Sequence, residues 1–224
     1  MNLYKDHSGR ELIVVLDNAS KLTYEAQLNL LKEINKRGLV LDTKILEEEI
    51  AQKETAIKNF EYLYDLGFQV TVDSSSQGLT VLRTGHAKLM DVVSTLIGFV
   101  LSLLGLLGFW LLMAIFFGNN EFALGKLIGY GLLIVVGGIG FKMLSGINRF
   151  LDYQNFSLVQ QGSSIVLKHQ GNTNTYTTAD MSLQEVEEDL ILMLGDEEII
   201  YASAQNLKQK LTLQELVHKI KSIG

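Results

Sequence analysis

The chain has 224 residues, 47% hydrophobic and 20% charged, with a formal net charge of -6 and neither proline nor cysteine. At a usual proline share of about 5% roughly eleven would be expected; their absence excludes Pro-rich linkers, polyproline recognition segments and cis-Pro turns, and missing cysteine excludes disulfides, thiolate nucleophiles, Fe–S clusters and Cys-based zinc sites. A mean hydropathy of +0.20 beside an ordinary charged fraction implies apolar residues gathered in one part of the chain.

Taken in order, residues 10–16 form a short apolar run stopped by Asp17 and Asn18. Thr23 predicts the N-cap of a helix through Arg37, with Glu25 in its first turn, Lys36 and Arg37 in its last, and Gly38 as the stop. Asp42 predicts the cap of a longer helix reaching about Leu66, before Gly67. Its Leu46, Ile50, Ile57, Phe60 and Tyr64 share one face with Lys53 in one slot, and Glu49–Lys53 and Glu54–Lys58 add i,i+4 pairs. Residues 1–67 thus read as a helical region, either a small bundle or a coiled-coil contact with a partner. Residues 68–73 and 79–83 alternate with period two about a turn at 74–78, a β-hairpin within 68–85.

No charged residue stands between Asp91 and Glu121. As a helix, residues 92–117 cover roughly 39 Å, more than the ~30 Å hydrocarbon core, and predict a transmembrane span. The next apolar run, 127–141, covers only about 22 Å. Snorkelling of Lys126 and Lys142 extends this second span to 122–147. Gly118, Asn119, Asn120 and Glu121 between the runs permit only an antiparallel hairpin, so residues 90–147 read as a transmembrane helical hairpin.

Lys88, Lys126, Lys142 and Arg149 are the candidate membrane-interface residues. With Arg83, they weight positive charge to the outer ends of the hairpin and leave Lys126 alone near the connection. The positive-inside rule then places both termini in the cytoplasm and the protein in the cytoplasmic (inner) membrane. The first ninety residues carry no signal-peptide pattern, in keeping with a cytoplasmic start. Eleven of the 20 glycines fall between Gly98 and Gly146. Ser94, Gly98 and Ser102 recur every four residues with Gly105 one turn on; Gly125 and Gly129 make a small-xxx-small pair; Gly131, Gly138 and Ser145 recur every seven. These are the candidate helix-packing residues, serving packing within the hairpin for at least one stripe and assembly with a second membrane subunit or copy for another.

Beyond the spans, residues 156–160, 165–169 and 176–179 read as short strands about turns at 162–164 and 171–174. Residues 182–189 and 190–194 read as a fourth and a fifth, and Gly195-Asp196 turns into a strand over 198–202. Thr212 predicts the cap of a C-terminal amphipathic helix carrying Leu213, Leu216, Val217 and Ile220. Residues 151–224 are then a cytoplasmic β-domain with a closing helix. A lone hairpin is marginal in water, so 68–85 is expected to pack on the helices before it or, the preferred reading, to join this later sheet. The expected fold class is an α+β integral membrane protein: N-terminal helices, a transmembrane helical hairpin, and a cytoplasmic antiparallel β-domain closed by a C-terminal helix.

The order of short strands, acidic turns and closing amphipathic helix beside paired spans, from Phe68 onward, resembles uncharacterised bacterial two-span membrane proteins with a PH-like β-domain. Glu11-Leu12, Tyr24-Glu25-Ala26 and the Glu33-Ile34-Asn35-Lys36-Arg37-Gly38-Leu39 run resemble a short helical motif of bacterial membrane proteins. The PH-like resemblance implies binding of lipid, peptide or protein, although no basic headgroup pocket is evident from the sequence.

Motifs for chemistry are missing. His7, His86, His169 and His218 are scattered, and no H-E-x-x-H, G-x-S-x-G, Walker A or strand-G-x-G-x-x-G-helix unit occurs. Glu185, Glu187, Glu188, Asp189, Asp196, Glu197 and Glu198 form the dense acidic clusters, but without EF-hand spacing, and read as solvated turns. No catalytic, cofactor-binding or metal residue is assigned, and no cofactor is expected. Net charge is -2 over residues 1–90, +1 over 91–150 and -5 over 151–224, so nucleic acid is not an expected partner. The expected function is a non-enzymatic membrane scaffold or regulatory subunit, with the bilayer and a protein partner or a homo-oligomer as its contacts. The alternative is an oligomerising effector or channel subunit that permeabilises the bilayer, which lacks the acidic or histidine lining an ion pathway uses.

Overall fold

The computed structural model describes residues 3–73, 78–117, 124–144 and 146–224. The expected 118–121 connection, Ser145 and most of the 74–78 turn lie outside the described residues. Two units emerge, one of Met1–Val81, Val159–Val166 and Thr175–Gly224, the other of Leu82–Leu158 and Leu167–Asn174.

In the first unit, Ser8 opens α1 (Gly9–Leu16) with a capping box: its hydroxyl accepts from the Glu11 N–H, and its own N–H donates to Glu11 Oε2 at 2.6 Å. The expected second helix is α2 (Tyr24–Arg37), capped by Thr23 and stopped by Gly38 at φ +63. Arg37 is its clamp, donating to Glu33 at 2.6 Å and to the carbonyls of Tyr4, Lys5 and His7. The next helix, α3 (Lys44–Lys58), is shorter than the expected reach to Leu66. Phe60 adopts the left-handed conformation at φ 61, which ends the helical hydrogen bonding, and buries its ring instead. Lys53 sits on the inward face of α3 because a buried polar partner awaits it: Gln27 accepts from its Nζ at 2.6 Å and donates to Glu49 and to the Ala19 carbonyl. Leu12, Leu30, Ile34, Leu46 and Ile50 fill the core between these helices.

Strands β1 (Phe68–Asp73), β2 (Gly78–Arg83), β3 (Ser157–Gln161), β4 (Ser164–His169) and β5 (Asn172–Thr177) form one sheet in that order. The 68–83 hairpin is therefore part of a sheet completed after the apolar helices. Strands β6 (Met181–Val186), β7 (Asp189–Leu194) and β8 (Glu197–Ser203) form a second, antiparallel sheet, in which Leu183 faces Leu192 and Ile191 faces Tyr201. The expected fourth strand, 182–189, ends early at Val186, and Asp189 already belongs to β7; Glu187 and Glu188 make the turn, with Glu187 at φ 55, the positive φ a two-residue hairpin needs to match strand twist. Its central strand, β7, is buried from Leu190 to Leu194.

The last helix, α7 (Leu207–Ile223), starts before the predicted cap. Asn206 caps it through the Gln209 N–H, while the buried Thr212 hydroxyl donates back to the Lys208 carbonyl at 2.7 Å. Leu213, Leu216 and Ile220 of α7 are buried, the helix lies against α3 as well as the second sheet, and fully buried Gln160 ties β3 to it through the Ile220 carbonyl at 2.7 Å.

In the second unit, α4 (Gly85–Phe117) is one continuous helix of 33 residues. Thr84 caps it, accepting from the Ala87 N–H at 3.2 Å. α5 (Leu124–Met143) has 20 residues and stops short of the expected 147, giving way at Leu144 to a separate helix, α6 (Gly146–Tyr153). Both α4 and α5 are long and apolar enough to cross a membrane, with mean hydropathies of 2.5 and 1.9 over the 18-residue windows that qualify in α4 and in the stretch Leu124–Tyr153.

Candidate functional site

Two features of the second unit stand out, a glycine seam between α4 and α5 and a basic cleft at the start of α4. In the seam, a Cβ on Gly105 would lie 2.4 Å from the Gly137 Cα, and one on Gly98 would lie 2.9 Å from the Gly140 carbonyl oxygen. Gly108 meets Leu133 and the Tyr130 carbonyl, while Gly140 meets Leu101 and the Ser102 N–H. The backbones touch where no side chain fits, the arrangement small residues permit between apolar helices. Contacting positions alternate by threes and fours on both helices (98, 101, 105, 108 and 130, 133, 137, 140), the spacing of a left-handed helix pair.

Of the candidate packing residues, Gly98, Ser102 and Gly105 belong to this seam, and Ser94 lies beside Gly146 of α6. Gly125, Gly129, Gly131 and Gly138 do not: among the described residues no atom comes within 4 Å of a Cβ on any of them. Their stripes flank the seam, since seam position 137 and Gly138 are one residue, about 100° of helix turn, apart. Gly108, Gly137 and Gly140, which the period-four and period-seven patterns pass over, carry the contact instead.

At the start of α4, the Arg83 guanidinium donates to Asp91 Oδ2 at 2.9 Å with both side chains largely buried, at 5% and 12% exposure. The same guanidinium lies 5.0 Å from the Tyr153 ring centroid. Tyr153 in turn meets Phe156 and His169 edge-on or tilted, with centroids at 5.5 and 5.2 Å, and the Gln170 N–H donates to the Asp152 carbonyl. This buried joint fixes the end of β2, the end of α6 and the end of β4 against the first turns of α4.

Beside the joint opens a cleft of about 490 Å³. Half-buried Lys88 and exposed Lys168 line it with the polar side chains of Asn155, Asn172 and Thr173, and Leu82 and buried Phe156 give it an apolar wall. No carboxylate lines it among the described residues. Of the other candidate interface residues, Lys126 lies exposed in the first turn of α5, Lys142 in its last, and Arg149 on α6. The first unit has a smaller cleft of about 350 Å³ lined by Thr23, Glu25, Lys53, Asn206 and Lys208, the last stacked over Tyr62. Among the described residues no three His, Asp or Glu side chains gather where they could hold a metal ion.

No family model, curated protein or solved structure matches the chain.

Proposed function

We propose that this is a two-span protein of the cytoplasmic membrane, with both termini in the cytoplasm, that docks a protein partner on its α+β portion without catalysing a reaction. The observation that carries the reading is the surface of α4. Leu96, Phe99, Leu106 and Trp110 are 56–68% exposed on a helix with almost no charge along it. A core helix of a water-soluble protein buries such side chains, and an apolar face this large has lipid as its natural solvent. Lys88, Lys142 and Arg149 at the outer ends against Lys126 near the connection support the orientation. Two sheets followed by a closing helix are the elements that the PH-like reading calls for, and such a domain serves docking.

Labelling and crosslinking of the full chain test the two halves of the proposal. Because the chain has no cysteine, single variants Asn119→Cys and Ser163→Cys report sidedness with a membrane-impermeant maleimide. Labelling of Asn119→Cys alone in intact cells is expected; labelling of Ser163→Cys there would overturn the topology. Crosslinking in native membranes followed by mass spectrometry is expected to recover one recurrent protein partner, and recovery of monomers only would overturn the docking role.

A further inference from the structure

We propose that the cleft at the start of α4 binds a phosphoryl anion through Lys88 and Lys168. These residues are 80 positions apart in sequence, and the fold sets both on one concave wall. Among the described residues neither ammonium has a carboxylate partner, while Asp91, the acidic residue nearest in α4, is taken by Arg83. Two like charges at one cleft repel each other unless an anion lies between them. The whole chain is acidic, yet the unit that holds the cleft has six Lys or Arg against three Asp or Glu.

The neighbouring groups suit the same ligand. Asn155, Asn172 and Thr173 supply amide and hydroxyl donors to anionic oxygens. Leu82 and Phe156 form a wall of low polarity that strengthens attraction across the cleft. Lysine serves phosphate as a point charge, and two ammonium groups supply the charge that matches a phosphoryl group of about -1.5 to -2. The cleft has room for a phosphate with part of the group esterified to it.

Position offers two sources for that chemistry. Lys88 stands four residues before Val92, where the uncharged run begins, or about 6 Å along the helix. In a spanning α4 this is headgroup depth, so one source is an anionic phospholipid; the other is a soluble phosphate ester. The membrane reading bears only on the choice between them, and binding of phosphate as such is measured without a partner or a bilayer.

The experiment uses the full chain in dodecylmaltoside micelles, titrated with inorganic phosphate, dioctanoyl phosphatidic acid and, as control, dioctanoyl phosphatidylcholine. Phosphate and phosphatidic acid are expected to bind, and the control is not. The Lys88→Gln/Lys168→Gln variant is expected to lose about tenfold or more in affinity for both, while Lys88→Arg/Lys168→Arg and Lys126→Gln stay near the parent. Phosphatidic acid binding about tenfold tighter than phosphate assigns the site to lipid; equal affinities assign it to a soluble ester. Binding by neither probe, or equal binding by the glutamine variant, overturns the proposal. Should the double variant not fold, Lys168→Gln alone on an exposed strand position carries the test, with no loss of affinity as the refuting result.

Discussion

Alanine at Gly105 is expected to wedge α4 away from α5. Its Cβ would stand 2.4 Å from the Gly137 Cα, whereas carbon atoms settle about 3.5–4.0 Å apart. The backbones must therefore part by about 1.1–1.6 Å at that level. The obstructing atoms are backbone, so no rotamer change relieves the clash. Overpacking of this kind costs roughly 1–3 kcal/mol, and the better helix propensity of alanine returns at most about 1 kcal/mol. With a rigid obstacle on the far side, the net loss should fall near 1–2 kcal/mol. Alanine at Gly131 works the other way. No atom of the described residues lies within 4 Å of its Cβ, so the propensity gain stands alone. The two substitutions are chemically identical and should differ by about 2–3 kcal/mol in opposite directions. Titration of the micelle-bound protein with dodecyl sulfate measures this by far-UV ellipticity and by fluorescence of Trp110, the sole tryptophan, on α4. Equal midpoints for the two variants, or a lower one for Gly131→Ala, would refute the seam.

Asp91→Ala should cost about 3–5 kcal/mol, because it leaves the buried Arg83 guanidinium without its carboxylate, whereas Arg83→Met/Asp91→Leu should recover much of that loss. A double variant no better than Asp91→Ala in thermal melts would show that the pair is not the source of the cost. The hydrogen bonds donated by the Ser8 N–H and hydroxyl hold the Glu11 carboxyl below its usual range, and those of Thr177 do the same for Asp180. A lowered folded-state pKa stabilises the fold above the ordinary carboxylate range, and the benefit disappears as pH falls through the lowered values. Glu11→Gln and Asp180→Asn should therefore lessen the decline of the melting temperature between neutral and acid pH; a decline parallel to the parent's would speak against this. Glu187→Gly should raise stability by about 1 kcal/mol by removing the cost of a side chain at φ 55. Asp196→Gly, at a position without positive φ, is the matched control, and an equal effect there would remove the explanation.

The parts of the fold that carry their own chemical punctuation were legible. Thr23 and Gly38 bound α2 residue for residue, because an N-cap hydroxyl and a left-handed glycine are local requirements. Where the chain meets the same requirement with an unusual residue, the reading misses. Phe60 adopts φ 61 and ends α3, and Glu187 adopts φ 55 and ends a predicted strand three residues early. In neither place does the residue type announce the turn. Thr212 misleads for the converse reason: its hydroxyl can cap a helix or bond back within one, and Asn206 has already opened α7. The cleft lay beyond any local pattern, since Leu82, Lys88, Asn155, Lys168 and Thr173 meet only once the strands after α6 are in place.

The seam shows a further limit, one of choice rather than of missing signal. A helix as rich in glycine as α5 carries several stripes at once: Gly125 with Gly129, Gly131 with Gly138, and Gly137 with Gly140. Each stripe satisfies a small-residue rule, and propensity within α5 does not rank them. The ranking comes from α4, where Gly98, Gly105 and Gly108 offer notches at intervals of seven and three. The face containing Tyr130, Leu133, Gly137, Gly140 and Met143 answers that spacing antiparallel, with Gly105 on Gly137 at the centre, Gly98 between Gly140 and Met143 to one side and Gly108 between Tyr130 and Leu133 to the other. Packing in such a pair is a property of two sequences read against each other in opposite directions. The stripe that one helix shows most plainly by itself is not thereby the one its neighbour can fill.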